Sequence, residues 1–184
     1  CECGNAHSGD HSAGKHPATS NGLKDASSDP NTIREWSETY SNFGLYCKSS
    51  NIAVIDIDPR NGGFESWESL TAPMQDIIPD TVTALTGEYQ GLKSSQRGLH
   101  LYFSVPADVQ LSGSFHADFP GIDIKHNGYV LLPGSRHFSG VTYEWKPGLG
   151  PFEVTLAAMP PYFLSQLDSG RRSAGGSVGV TDLS

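Results

Sequence analysis

Asp56 and Asp58 close the apolar run "VIDIDPRNGG" of residues 54–63 by placing two carboxylates two positions apart, just before a proline and a pair of glycines. On a β-strand, side chains at i and i+2 share a face, so the two aspartates stand together with Val54 while Ile55 and Ile57 pack the other way. Carboxylates that close repel unless one is protonated or a cation, an arginine or open water separates them. Two solvated aspartates at a strand end satisfy the pattern as well as a cation site does. In "RGLHLYF", Leu99, Leu101 and Phe103 share one face, which leaves His100 and Tyr102 on the other, where a lone histidine more often serves structure than catalysis. In "GIDIK", Ile122 and Ile124 leave Asp123 opposite them; a buried aspartate needs a partner, and a capped turn or an ion pair with Lys125 would provide one. The head of the chain, "CECGNAHSGDHSAGKHP", gathers Cys1, Cys3, His7, His11 and His16 in a stretch without apolar period. Thiolates and imidazoles on such a loop suit a structural Zn²⁺, which takes four ligands and supplies the order the loop lacks. Cys1, Cys3, His11 and His16 are the favoured set, with a disordered or truncated head as the alternative.

These groups need a scaffold, and hydrophobic periodicity outlines one. "DPNTIREWSETY" predicts a short amphipathic helix, with Pro30 near its start and Ile33, Trp36 and Tyr40 at helical spacing. "NFGLYC" and "NIAVIDID" predict two strands, most simply a hairpin across "KSSN". "GGFESWESLTAPMQDI" predicts a second helix with Phe64, Trp67, Leu70 and Met74 on one side. "TVTALTGEY" and "RGLHLYFSV" predict strands joined by the polar loop "QGLKSSQ". Two more short strands flank "HNG" in "PGIDIKHNGYVLLPG", "GVTYEW" supplies another, and "PPYFLSQL" reads as a short helix or tail. Cys47, inside an apolar strand, reads as buried packing.

A chain of 184 residues suits one domain with a proper core, here residues 1–170, with 1–17 as the zinc-binding loop. Residues 171–184 have the Gly, Ser and Val composition of a linker toward a further C-terminal region. Twelve Lys and Arg against twenty Asp and Glu give a formal charge of -8, which excludes a generally basic nucleic-acid coat but leaves room for a local basic groove. No apolar stretch approaches membrane-spanning length and no signal-peptide pattern is present, so no membrane partner is expected. The chain begins at Cys1 rather than Met, as a piece of a longer protein would, and three cysteines without a disulfide framework favour a cytosolic setting.

In order along the chain stand "GKHP", the D-x-D strand, "PDTVTALTG", the G-x-H strand, the strand with a single Asp, and "YVLLPGSRHFSGVTYEW". This series resembles the bifunctional primase-polymerase domain of the archaeo-eukaryotic primase superfamily, found in plasmid and phage replication proteins. The resemblance implies an α/β (α+β) fold: an RRM-like central antiparallel or mixed sheet with flanking helices, and a second small α/β subunit. It implies a DNA polymerase and primase that transfers nucleotides from dNTPs, with NTPs as the alternative, on a single-stranded template with a primer. Asp56, Asp58 and Asp123 would hold two Mg²⁺ or Mn²⁺ ions, and His100 would touch the triphosphate. Arg97, Ser135, Arg136 and His137 are the candidates for the remaining phosphate contacts, and Lys15 of "GKHP" is similarly placed in family sequences. Tyr102 would either discriminate at the sugar or pack. The implied partner within the full protein is a C-terminal helicase region, and the implied setting is the cytoplasm of a prokaryotic host. Two departures stand out. Many relatives carry D-x-E where this chain has D-x-D, and "EYQGLKSSQR" lengthens the compact turn usual before the histidine. Competing readings are a D-x-D glycosyltransferase, an aspartate-nucleophile phosphatase, which lacks its expected Thr after Asp58, and a degenerate domain that binds nucleotide or nucleic acid without transfer.

Overall fold

Alternation along residues 52–57 and 99–105 builds a sheet with one apolar face and one face that carries the charged and aromatic groups. The computed structural model describes residues 13–74, 78–89, 96–109 and 118–167. Its strands are β1 (Gly44–Tyr46), β2 (Ile52–Ile57), β3 (Thr83–Tyr89), β4 (Gln96–Ser104), β5 (Ile122–Lys125), β6 (Tyr129–Leu131) and β7 (Glu144–Trp145). Five of them form an antiparallel sheet in the order β5-β2-β4-β3-β7, and β1 and β6 form a separate two-stranded sheet. The helices are α1 (Pro30–Thr39), α2 (Gly63–Thr71) and α3 (Pro161–Leu167). The fold class is thus mixed α/β, as expected.

The apolar face of the large sheet presents Ile55, Ile57, Phe103 and Ile122, all fully buried, against Leu70 of α2 and Phe163 of α3. Trp67 and Phe163 stack with ring centres 6.0 Å apart and planes nearly parallel, so the two helices meet beneath the sheet. Each such large apolar side chain contributes about 1.5–3 kcal/mol on burial, which sets this face against the helices and leaves the charged row on the other. That other face carries a smaller cluster of Val54, Val82, Ala84, Tyr102, Cys47 and Val130. Cys47 is buried as expected, and burial pushes its thiol up to about 11. At the start of α1 the Asp29 carboxylate accepts from the Thr32 N–H at 3.0 Å, and Pro30 occupies the first turn where no donor is needed.

One strand pairing differs from expectation. β1 and β2 do not form a hairpin: β2 already has β4 on one edge and β5 on the other, so no edge remains for β1. Instead "KSSN" makes a 3₁₀ turn with Asn51 in the left-handed region at φ 53°, and β1 pairs with β6. The strands around "HNG" belong to different sheets: β5 completes the large sheet and β6 the small one. α2 is also shorter than predicted, ending in a 3₁₀ turn over Ala72–Met74 that contains Pro73, which cannot donate to a continuing helix. Residues 75–77 of that predicted helix, the "QGLKSSQ" loop up to residue 95 and the linker 171–184 lie outside the described residues.

Past the end of β2 three backbones meet. The Asp58 N–H donates to Gly121 O at 2.7 Å, and the Gly63 N–H donates to Asp58 O at 3.0 Å. A Cβ on Gly121, which has φ +77°, would lie 2.5 Å from the Gly63 nitrogen, so this crossing tolerates no side chain. Gly121→Ala is therefore expected to cost about 3 kcal/mol or more in urea unfolding. Gly134→Ala, at φ +95° but with nothing within 4 Å, should cost only about 1 kcal/mol.

Candidate active site

In antiparallel strands, residues directly opposite one another project from the same face. Asp56 lies opposite Asp123 of β5 on one side and opposite His100 of β4 on the other. Three adjacent strands therefore line up Asp123, Asp56 and His100 in one row. In the neighbouring row, Val54 stands between Lys125 and Tyr102. Asp58 follows β2 in extended conformation, φ -99° and ψ 109°, and so continues the alternation that placed Asp56.

Each carboxylate faces a positive or protonatable group. The Arg60 guanidinium clamps Asp58, with Nε 3.1 Å from both oxygens and Nη2 2.6 Å from Oδ2, and the Arg60 N–H donates to Oδ1 at 2.9 Å. Burial pushes the Asp58 carboxyl up, but these bonds outweigh it and hold the group below its ordinary range. Lys125 donates to Oδ2 of Asp123, while the Ile124 N–H donates to Oδ1 at 2.9 Å. Burial opposes the Lys125 charge, yet Asp123 raises its pKa overall. Nε2 of His100 lies 3.5 Å from Oδ1 of Asp56. Burial lowers the His100 pKa against the pull of Asp56, and Nδ1 has no hydrogen-bond partner among the described residues. Lys15 lies 5.5 Å from the centre of the Phe138 ring; burial and Arg60 lower its pKa, while Asp56 and Asp58 act to raise it. Its ammonium is thus within the field of both carboxylates.

Among the described residues, no three His, Cys, Asp or Glu side chains are drawn together as a metal cage would need. The donor set nevertheless fits a divalent cation: Asp56, Asp58 and Asp123 offer hard oxygens on one face, with side chains 27%, 20% and 36% exposed. Asp58 and Asp123 are turned toward the chain's own cations.

The sequence profile of the bifunctional DNA primase/polymerase N-terminal domain matches residues 8–162. The chain belongs to this family. Neither the curated proteins nor the solved structures gave a match. Membership makes the primase/polymerase domain a nucleotidyltransferase of DNA synthesis in general terms, with DNA and nucleotides as its ligands. It displaces the glycosyltransferase and phosphatase readings of the D-x-D strand.

The primase/polymerase domain does not bring every predicted phosphate ligand to this face in an available form. Arg97 ties strands together instead, donating to the carbonyls of Leu85, Thr86 and Thr142 and pairing with Glu144. Ser135 is buried and bolts its loop to the residue before β1, accepting from the Phe43 N–H at 3.0 Å and donating to Phe43 O at 3.1 Å. His137 is buried in a slot opened by Gly87, where a Cβ would come within 2.5 Å of the imidazole, and its Nδ1 contacts the Ser139 hydroxyl at 2.8 Å. Arg136 is exposed. Of the zinc set, Cys1, Cys3 and His11 lie outside the described residues, and His16 is exposed.

Asn42 has a role that sequence reasoning missed. Its Oδ1 accepts from the Arg136 N–H at 2.8 Å, and its Nδ2 donates to Gly14 O at 2.9 Å and Arg136 O at 3.1 Å. The "GKHP" and "GSRH" loops are thereby clamped together, and Tyr129 adds a second tie by donating to Lys15 O. Asn42→Ala should lower stability by about 1–2 kcal/mol and speed proteolysis within residues 13–17. Asn42→Asp, which keeps the acceptor but not the donor, should fall between that variant and the native chain in both measurements.

Proposed function

We propose that the domain performs template-directed nucleotidyl transfer with two divalent metal ions, moving a nucleotide from a dNTP to a primer 3′-hydroxyl during replication of plasmid or phage DNA. The observation that carries this reading is the single row of Asp123, Asp56 and His100 across three paired strands, extended by Asp58. The three aspartates would hold Mg²⁺ or Mn²⁺, which would activate the hydroxyl and offset charge on the leaving pyrophosphate.

The chain's own side chains do the rest. His100 faces Asp56 through Nε2, while its Nδ1 is enclosed without a partner among the described residues, so the imidazole would act on the triphosphate from the carboxylate side. A bound triphosphate would favour the protonated imidazole that burial otherwise disfavours. Lys15, between the Phe138 ring and the carboxylates, supplies a second positive charge on the same side. Exposed Arg136, clamped through its backbone to Asn42, would meet phosphate or template from the adjoining loop. With a formal charge of -8, template grip rests on this limited basic patch and on the C-terminal helicase region that family resemblance suggests.

The test is extension of a labelled primer on single-stranded DNA with dNTPs and Mg²⁺ or Mn²⁺. The native chain should extend in a metal-dependent manner, and Asp56→Ala combined with Asp58→Ala should reduce the rate by at least about 10²–10³-fold while the circular dichroism spectrum is retained. A folded native chain that binds dNTP but never extends a primer would instead be a binding module.

A further inference from the structure

We propose that Arg60 and Lys125 are exchangeable counter-ions, which hold the carboxylates of Asp58 and Asp123 until metal ions take those oxygens and then pass to the triphosphate of the incoming nucleotide. This rests on the two-metal reading above.

The site is balanced as it stands: the carboxylates of Asp56, Asp58 and Asp123 face the cations Arg60, Lys125 and Lys15. Both oxygens of Asp58 are engaged by Arg60, and Asn61 Nδ2 adds a contact to Oδ2 at 3.3 Å. Both oxygens of Asp123 are likewise engaged, Oδ1 by the Ile124 N–H and Oδ2 by Lys125. A divalent cation reaches either carboxylate only in competition with a side chain that already carries a positive charge there. Two such ions would bring four positive charges beside three lysine and arginine heads, and Coulomb repulsion at these separations drives the mobile heads outward.

Those heads are able to leave. The Arg60 and Lys125 side chains are 37% and 35% exposed, and each ends a long flexible stem. Arg97 is the contrast: 21% exposed and bonded to three carbonyls and Glu144, it is a fixture of the sheet. A triphosphate brought to the same metals carries several negative charges, and guanidinium and ammonium groups released beside it meet phosphate oxygens with the geometry they favour. The exchange makes metal and nucleotide entry mutually supportive, because the cations that oppose the first ligand assist the second.

The prediction has opposite signs for two ligands, which a general structural defect cannot reproduce. Mn²⁺ binding without nucleotide is read from the loss of the free-ion electron paramagnetic resonance signal. Binding of dATP is read by calorimetry in the presence of Ca²⁺. For Lys125→Met and for Arg60→Met, Mn²⁺ should bind about three- to tenfold more tightly and dATP about tenfold more weakly than in the native chain. Unchanged or weaker Mn²⁺ binding, or unchanged dATP binding, overturns the exchange. If Lys125→Met does not fold, Arg60→Met on its exposed turn carries the same test. Native protein that binds Mn²⁺ but no dATP overturns the polymerase reading along with the exchange, whereas native binding of both ligands with variants that weaken both overturns the exchange alone.

Discussion

The alignment of β2 between β4 and β5 is the constraint on which every other feature of the site rests. Asp56 meets Asp123 and His100 only in the register observed, and because strand side chains alternate, a slip of one residue would send Asp56 into the apolar layer and Ile55 into water. What resists the slip is the underside. Ile55, Ile57, Phe103 and Ile122 are fully buried against α2 and α3, so the charged row is held in place by groups that take no part in its chemistry. The glycine crossing at Gly63 and Gly121 then fixes where β2 stops, and with it the position of Asp58.

The negative and positive halves of the site come from different layers. The carboxylates stand on or just past the five-stranded sheet, while the loops bearing Lys15 and Arg136 are fastened to the segment around β1 and to β6, through Asn42, Phe43 and Tyr129. Arg60 and Lys125 are exceptions, positioned by their neighbourhood in sequence to the aspartates they face. A protein of net charge -8 can in this way concentrate cations where a polyphosphate would lie without becoming basic as a whole.

Much of this was legible in the sequence because period-two alternation is written into the residues themselves. "VIDID", "LHLYF" and "IDI" each assign faces without reference to any partner, and the structure keeps all three assignments, including the Asp123 and Lys125 ion pair. Alternation says which way a side chain points but not which strand lies beside it, and so β1 was expected next to β2 when both edges of β2 are filled by later strands. Arg97 drew attention as a cation one residue from "GLH". A β-bulge between Leu85 and Glu88 instead sets its guanidinium on the carbonyls of β3. Asn42 carried no local signal at all, since the backbone it clamps at Arg136 is 94 residues away.

The strand order also dictates when the site can come into being. β3 and β4 are neighbours both in sequence and in the sheet, so they can close early at small entropic cost. β2 is in the opposite position: Asp56 must wait for His100, more than forty residues downstream, and for Asp123, more than sixty. Such non-local pairings slow folding, because a long loop must be ordered before any of its contacts form. As the chain leaves the ribosome, its first two carboxylates emerge well before the strands that flank them. A nascent chain that has not yet reached β5 carries the D-x-D segment as an acidic stretch without a row to complete it, and competence for chemistry arrives all at once when β5 joins.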